Sequence, residues 1–423
     1  MHRSVTTTFD STLTDRLTAR LAGVDADLAR RYPGDPGTRQ PVHTVYVPAD
    51  AFAADTVRTW GERALAALDA HAPDAEALAE ALGVPDATAV HDRVRAKLAR
   101  EPVEDLRVDF EDGYGRRSDA EEDEAAARAA ELTAASVADG SAPPFTGIRA
   151  KSMEAAVRDR GVRTLDVFLT GLMARGGLPA GLVLTLPKVS HAEQVTAMAE
   201  VAGEFEKAHG LEAGRIRFEV QIETTQAVLG PDGRATVARL LDAGEGRVSA
   251  LHYGTFDYSA ACGIAPAHQA PDHPAADHAK AVMQVAVAGT GVRLSDGSTN
   301  VLPVGPRERV HAAWRHHHAL VRRALARAYH QGWDMHPAHL PTRYAAVYGF
   351  YREGLETAAA RLAAYARGGT ADGGAVLDEP ATARSLAGHL LRAVDCGAAD
   401  PAEIARLTGL TRPELDALAG RAE

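Results

Sequence analysis

The chain alternates short apolar runs with stretches of helical period through its middle. The runs are HTVYV at 43–47, LRVDFED at 106–112, TGIRA at 146–150, LVLTLPK at 182–188, IRFEVQIET at 216–224, VSALHYGTFDY at 248–258, VLPVG at 301–305 and GWDMHP at 332–337. Short runs rich in β-branched residues and bounded by turn signals read as strands, and their alternation with helices gives a parallel sheet covered on both faces. Eight such strands predict an α/β fold of the (β/α)₈ TIM-barrel type.

The flanks carry a different pattern. Leu13, Leu17, Leu21 and Val24 recur at helical spacing, which predicts a helical arm over 1–40 packed on the outside of the barrel. An Ala-rich stretch at 53–104 predicts a long helical insertion after the first strand, within a barrel domain spanning 41–340. Beyond it, 341–423 reads as a C-terminal helical cap with a Gly-rich break at 368–374. PAEIARLTGLTRPELDALAG at 401–420, with Gly409 in the turn, reads as a helical hairpin rather than a DNA-reading unit.

Composition narrows the class. With 423 residues, 46% hydrophobic and 24% charged, the chain has enough apolar material for one large domain with appendages. A net charge of −11 argues against phosphate-backbone binding, so no nucleic-acid partner is expected. Cys262 and Cys396 are too few for a disulfide framework and suit a reducing compartment. The opening MHRSVTTTFDSTLTDRL has no apolar signal core, and no 18-residue apolar run occurs. The expectation is a cytoplasmic protein without a membrane partner.

Polar residues gather at the carboxyl ends of the apolar runs: Asp109, Glu111, Asp112, Arg149, Lys188, Glu223, Asp257 and His336. In a barrel these ends meet at the face where active sites form. Glu223 in QIETT and Asp257 in GTFDY offer hard carboxylate oxygens suited to Mg²⁺ or Mn²⁺, with open positions left for water and a 2-oxo acid. Each could instead cap a helix or pair with an arginine. Arg149 in GIRAKS can pair with a substrate carboxylate or form a buried salt bridge to Glu111 or Asp112. In DFED, Glu111 and Asp112 are the better candidates for orienting metal-bound water, because strand alternation can send Asp109 elsewhere.

Two histidine groups are set aside. His252, His268, His273 and His278 lie largely in Pro-broken sequence unsuited to a zinc site, and His316–His318 read as a solvated helix face because consecutive helical side chains diverge.

The segment VDFEDGYGRRSDAEEDEAAARAA resembles the D-x-E-D segment of the citrate lyase β-subunit-like and malate synthase enzymes, the HpcH/HpaI aldolase–citrate lyase group of barrels. HTVYVPAD, GIRAKS, LPKVSHAEQV, QIETTQAVLG, GTFDYSAACG and GWDMHPAHLP resemble further motifs of that group, in the same order, over about residues 43–395. The resemblance implies Glu223 and Asp257 as metal ligands, Arg149 as the substrate arginine, and Gly254, Thr255 and Phe256 as a substrate-contacting turn. It implies Lys188, Tyr46 and Pro48 as contacts for coenzyme A.

GGAVLDEPATARSLAGHLLRA at 373–393 is similar to the group's C-terminal Met-Ile-Asp-x-Pro helix, which implies Asp378 as the base that enolises an acyl-CoA thioester. Asp378 also suits a helix N-cap. The reaction implied first is that of malate synthase, glyoxylate plus acetyl-CoA and water giving malate and CoA. Alternatives are a malyl- or citramalyl-CoA lyase, a class II 2-oxo acid aldolase, whose Glu-His pair is replaced here by Glu111-Asp112, and a silent binding module. Oligomeric state stays open, because the 53–104 insertion and the tail after 396 are additions to the group's pattern.

Overall fold

In a computed structural model, which describes residues 8–368 and 379–421, eight parallel strands close in chain order into a barrel. They are β1 (His43–Pro48), β2 (Asp105–Asp109), β3 (Phe145–Arg149), β4 (Leu184–Leu186), β5 (Phe218–Ile222), β6 (Val248–Tyr253), β7 (Arg293–Asp296) and β8 (Gln331–Trp333). β8 pairs with β1 through His43 and Thr44 opposite Gly332 and Trp333, which completes the ring.

Seven strands fall on the runs that predict them. The seventh does not: β7 is RLSD, while VLPVG lies outside any strand with Val301, Leu302 and Val304 exposed. Pro303 has no N–H for a ladder, which disfavours VLPVG within a sheet. Leu294, Ser295 and Asp296 are buried although the stretch reads as polar.

Polarity in β7 belongs to a wider pattern, because the barrel interior is held by hydrogen-bonded charge as well as apolar packing. Arg107 on β2 pairs with Asp105 and, at 3.0 Å, with Glu219 on β5. Arg107 Nε donates to Thr185 Oγ1 on β4 at 3.1 Å, and His252 Nε2 on β6 lies 2.9 Å from Glu219 Oε2. Thr44 Oγ1 on β1 donates to Asp105 at 2.8 Å and accepts from Gln331 Nε2 on β8 at 2.8 Å. Burial opposes the Glu219 charge, but Arg107 and His252 outweigh it and hold the carboxyl below its usual range. Buried charge survives only when paired in this way.

The insertion forms α2 (Thr56–His71), α3 (Ala75–Leu82) and α4 (Ala87–Arg100). The helix Arg307–Ala326 corrects the reading of its histidines: His317 and His318 are buried. His317 bonds Thr342 at 2.7 Å and Asp334 at 3.0 Å, and Asp334 also meets His43 at 2.9 Å and Arg343 at 2.8 Å. The divergence of neighbouring helical side chains holds, but this face turns inward, where a buried carboxylate supplies partners.

The N-terminal helix α1 (Ser11–Arg31) forms as its spacing predicts and is capped by Asp10, yet none of its residues is buried. It therefore does not pack on the barrel as an outer arm. After the barrel, helices Leu340–Arg352, Leu355–Ala366 and Pro380–Asp395 precede the short pair Pro401–Thr408 and Arg412–Ala419.

Candidate active site

Strand pairing brings the predicted polar residues to one barrel mouth. Asp109 and Arg149 are register partners at the ends of β2 and β3. Arg149 Nε and Nη2 each donate to the Asp109 carboxylate at 2.7 Å, a bidentate pair with both side chains buried. The backbone N–H groups of Glu111 and Gly113 donate to the same carboxylate at 3.0 and 2.9 Å. Asp109 thus points inward, in step with Arg107, and is the partner that the sequence reading passed over. The remaining nitrogen, Nη1, lies 3.3 Å from Gln221 Oε1 and 3.6 Å from Glu111. Tyr46 and Trp333 flank the guanidinium with ring centres 4.7 and 5.6 Å away. Tyr46 is buried, so its ring supports Arg149, while Pro48 is half-buried at the end of β1.

Glu223 follows β5 and is buried; Asp257 follows β6 in the first turn of the helix Thr255–Ala261 and is exposed. Lys188, beyond β4, links the groups. Its backbone N–H donates to Glu223 Oε1 at 2.7 Å, and its Nζ lies 2.9 Å from Asp112, 3.3 Å from Asp257 and 3.3 Å from Glu111. The Lys188 backbone adopts φ of 51°, a left-handed conformation uncommon outside glycine and often found at functional sites.

The electrostatics follow from burial and crowding. Burial raises the Glu223 carboxyl above its ordinary range and Asp257 adds to the shift, against Arg149 and Lys188. Burial likewise pushes Glu111 up to about 7 despite Arg149 and Lys188, with Asp112 adding to the rise. Burial opposes the Lys188 charge, but Glu223, Asp112, Glu111 and Asp257 together hold its ammonium above the usual lysine range.

The predicted substrate turn contributes space. A Cβ on Gly254 would stand 2.4 Å from Glu223 Cβ and 2.6 Å from Glu223 Oε2, so only glycine fits beside that carboxylate. Thr255 is buried and Phe256 half-buried in the following turn. Gly254→Ala is therefore expected to displace Glu223 and weaken Mg²⁺ binding by about 10–100-fold, as disturbed supporting contacts do at metal sites; calorimetric titration with Mg²⁺ measures it.

A divalent cation fits this donor set. Glu223 is a buried carboxylate destabilised by a second carboxylate, and a nearby cation relieves both penalties. Among the described residues no group of three or more His, Cys, Asp or Glu could hold a metal ion; with Glu223 and Asp257 alone as protein ligands, water and substrate would have to complete the shell. Asp378 lies outside the described residues. Two cavities of about 310 and 250 Å³ open at the other barrel mouth, beside Leu294 and Asp105 at the strand starts. The carboxyl-end cluster remains the candidate site because that is where a (β/α)₈ barrel gathers its catalytic loops.

Known structures of similar fold include a citrate lyase from Burkholderia xenovorans LB400, with 20% identity, 88% of this chain and 97% of that chain covered, and a TM-score of 0.60. A malate synthase from Haloferax volcanii, solved as a lead(II) complex, matches at 16% identity over 72% of each chain with a TM-score of 0.50. The fold is that of the citrate lyase and malate synthase barrels, the group whose motifs the sequence resembles. A family model described as "Domain of unknown function (DUF6986)" matches residues 21–422, and the chain belongs to that family. No curated protein matches the sequence.

Proposed function

We propose that this protein is a Mg²⁺-dependent enzyme that forms or cleaves a carbon–carbon bond next to a carboxylate, acting on a 2-oxo acid and an acyl-CoA. The observation that carries the reading is the meeting of the buried Glu223 with the exposed Asp257 through Lys188, beside the Asp109-clamped Arg149 at the carboxyl mouth of the barrel.

Glu223 and Asp257 would hold the ion, which when bound supplies Lewis acidity toward the oxygens of a 2-oxo acid. Arg149 is held so that only Nη1 is free of Asp109, and a preorganised donor of this kind stabilises developing oxyanion charge without reorienting. Lys188, its ammonium held by Asp112, Glu111 and Asp257, places a second cation at this mouth and ties Asp257 to Glu223. Tyr46 and Trp333 keep water from the far faces of the guanidinium.

The specific reaction proposed is malate synthesis from glyoxylate, acetyl-CoA and water, with Asp378 as the base, a role that rests on its place in LDEP. Mixing the protein with Mg²⁺, glyoxylate and acetyl-CoA is expected to release free thiol and malate in equal amounts. Cleavage of malyl-CoA without thiol release would instead make it the lyase.

A further inference from the structure

Helix α1 is 21 residues long, yet it buries none of them. Leu17, Leu21, Val24 and Leu28 are 46–53% exposed. Their spacing of four, three and four is the alternation of d and a positions over two heptads, a seam narrower than the face a globular protein covers. An isolated helix of this length is marginal in water, and Gly23 in its interior weakens it further. Its ties to the body are confined to its end. Arg31 pairs with Asp242, and just past the helix Gly34 N donates to Gly289 O at 2.8 Å.

We propose that α1 pairs with α1 of a second copy of this chain, in parallel and in register. With Leu21 and Leu28 at a and Leu17 and Val24 at d, Arg20 occupies a g position and Asp25 the next e position. In a parallel pair these face each other across both sides of the seam. Among the described residues neither has an ion pair within its own chain, so each is available to the other copy. An antiparallel pair would set Arg20 against Asp27, which is already engaged by Arg30 and Arg31. The two-fold operation presents the same apolar stripe twice, so each copy covers what the other exposes.

The test is light scattering of the full chain. The wild-type particle is expected to be an even multiple of 44.6 kDa, and Leu21→Asp/Leu28→Asp to halve its mass with an unchanged thermal midpoint, since the core is untouched. Arg20→Glu is expected to weaken assembly and Arg20→Glu/Asp25→Arg to restore it, because the swap rebuilds the cross-pair only in the parallel register. Equal masses for the wild type and the Asp variant would overturn the pairing. So would a fall in thermal midpoint without a change in mass, which would place the stripe against its own barrel. A halved mass with no rescue by the swap would overturn the parallel register.

Discussion

Glu223→Gln is expected to lower the proposed Mg²⁺-dependent reaction by about 10²–10³-fold, the cost of losing one preorganised electrostatic element, while making the metal-free protein more stable. The two effects share a cause. Glu223 is buried, and its carboxyl is held above its ordinary range by that burial and by Asp257. An acid whose folded-state pKa is raised binds more protons folded than unfolded. Stability therefore falls as pH climbs from the unfolded value near about 4.3 through the folded value. Glutamine keeps the shape and removes the charge, so the variant loses this slope. In EDTA its thermal midpoint should exceed that of the wild type by more at pH 8 than at pH 5. Added Mg²⁺ at 100 times its Kd should stabilise the wild type by about 2.7 kcal/mol and the variant much less. A variant that keeps both turnover and Mg²⁺ stabilisation would remove Glu223 from the site.

Asp109→Ala is expected to be the most destabilising single change at this mouth, at about 3–5 kcal/mol by urea unfolding, the range for removing one partner of a buried pair. The substitution abandons Arg149 inside the barrel and leaves the Glu111 and Gly113 N–H groups without their acceptor. Asp109→Ala/Arg149→Met, which removes both charges, should recover much of the loss, and the coupling from that cycle measures the pair. Stability of Asp109→Ala equal to wild type would show that Arg149 is held in place by other contacts.

Most of the barrel was legible because seven strands lie in runs whose outward-facing residues are apolar, even where the inward ones are charged and paired, as in β2. β7 escaped for the converse reason. Asp296 pairs with Lys280 at 2.9 Å, so the strand satisfies its polar groups through side chains far along the chain. Arg149, Lys188, Glu223 and Asp257 were visible because each breaks an apolar run at its carboxyl end. The partner of Arg149 was harder to read. Asp109 shares the inward parity of Arg107, and counting in twos from that residue would have placed it inside. The inward turn of His317 had no such local mark, since it depends on Asp334 arriving from β8.

The charged network across β1, β2, β4, β5, β6 and β8 also bears on how the ring finds its closure. Sliding one strand by two residues would keep every side chain on its proper face and leave an aliphatic interior almost equally filled. Here the same slip would carry Arg107 away from Glu219 or Thr44 away from Asp105, and an unmatched charge in the interior costs far more than a small void. The interior therefore works as a lock with one key: greasy contacts tolerate near misses, but the ionic ones admit a single stagger.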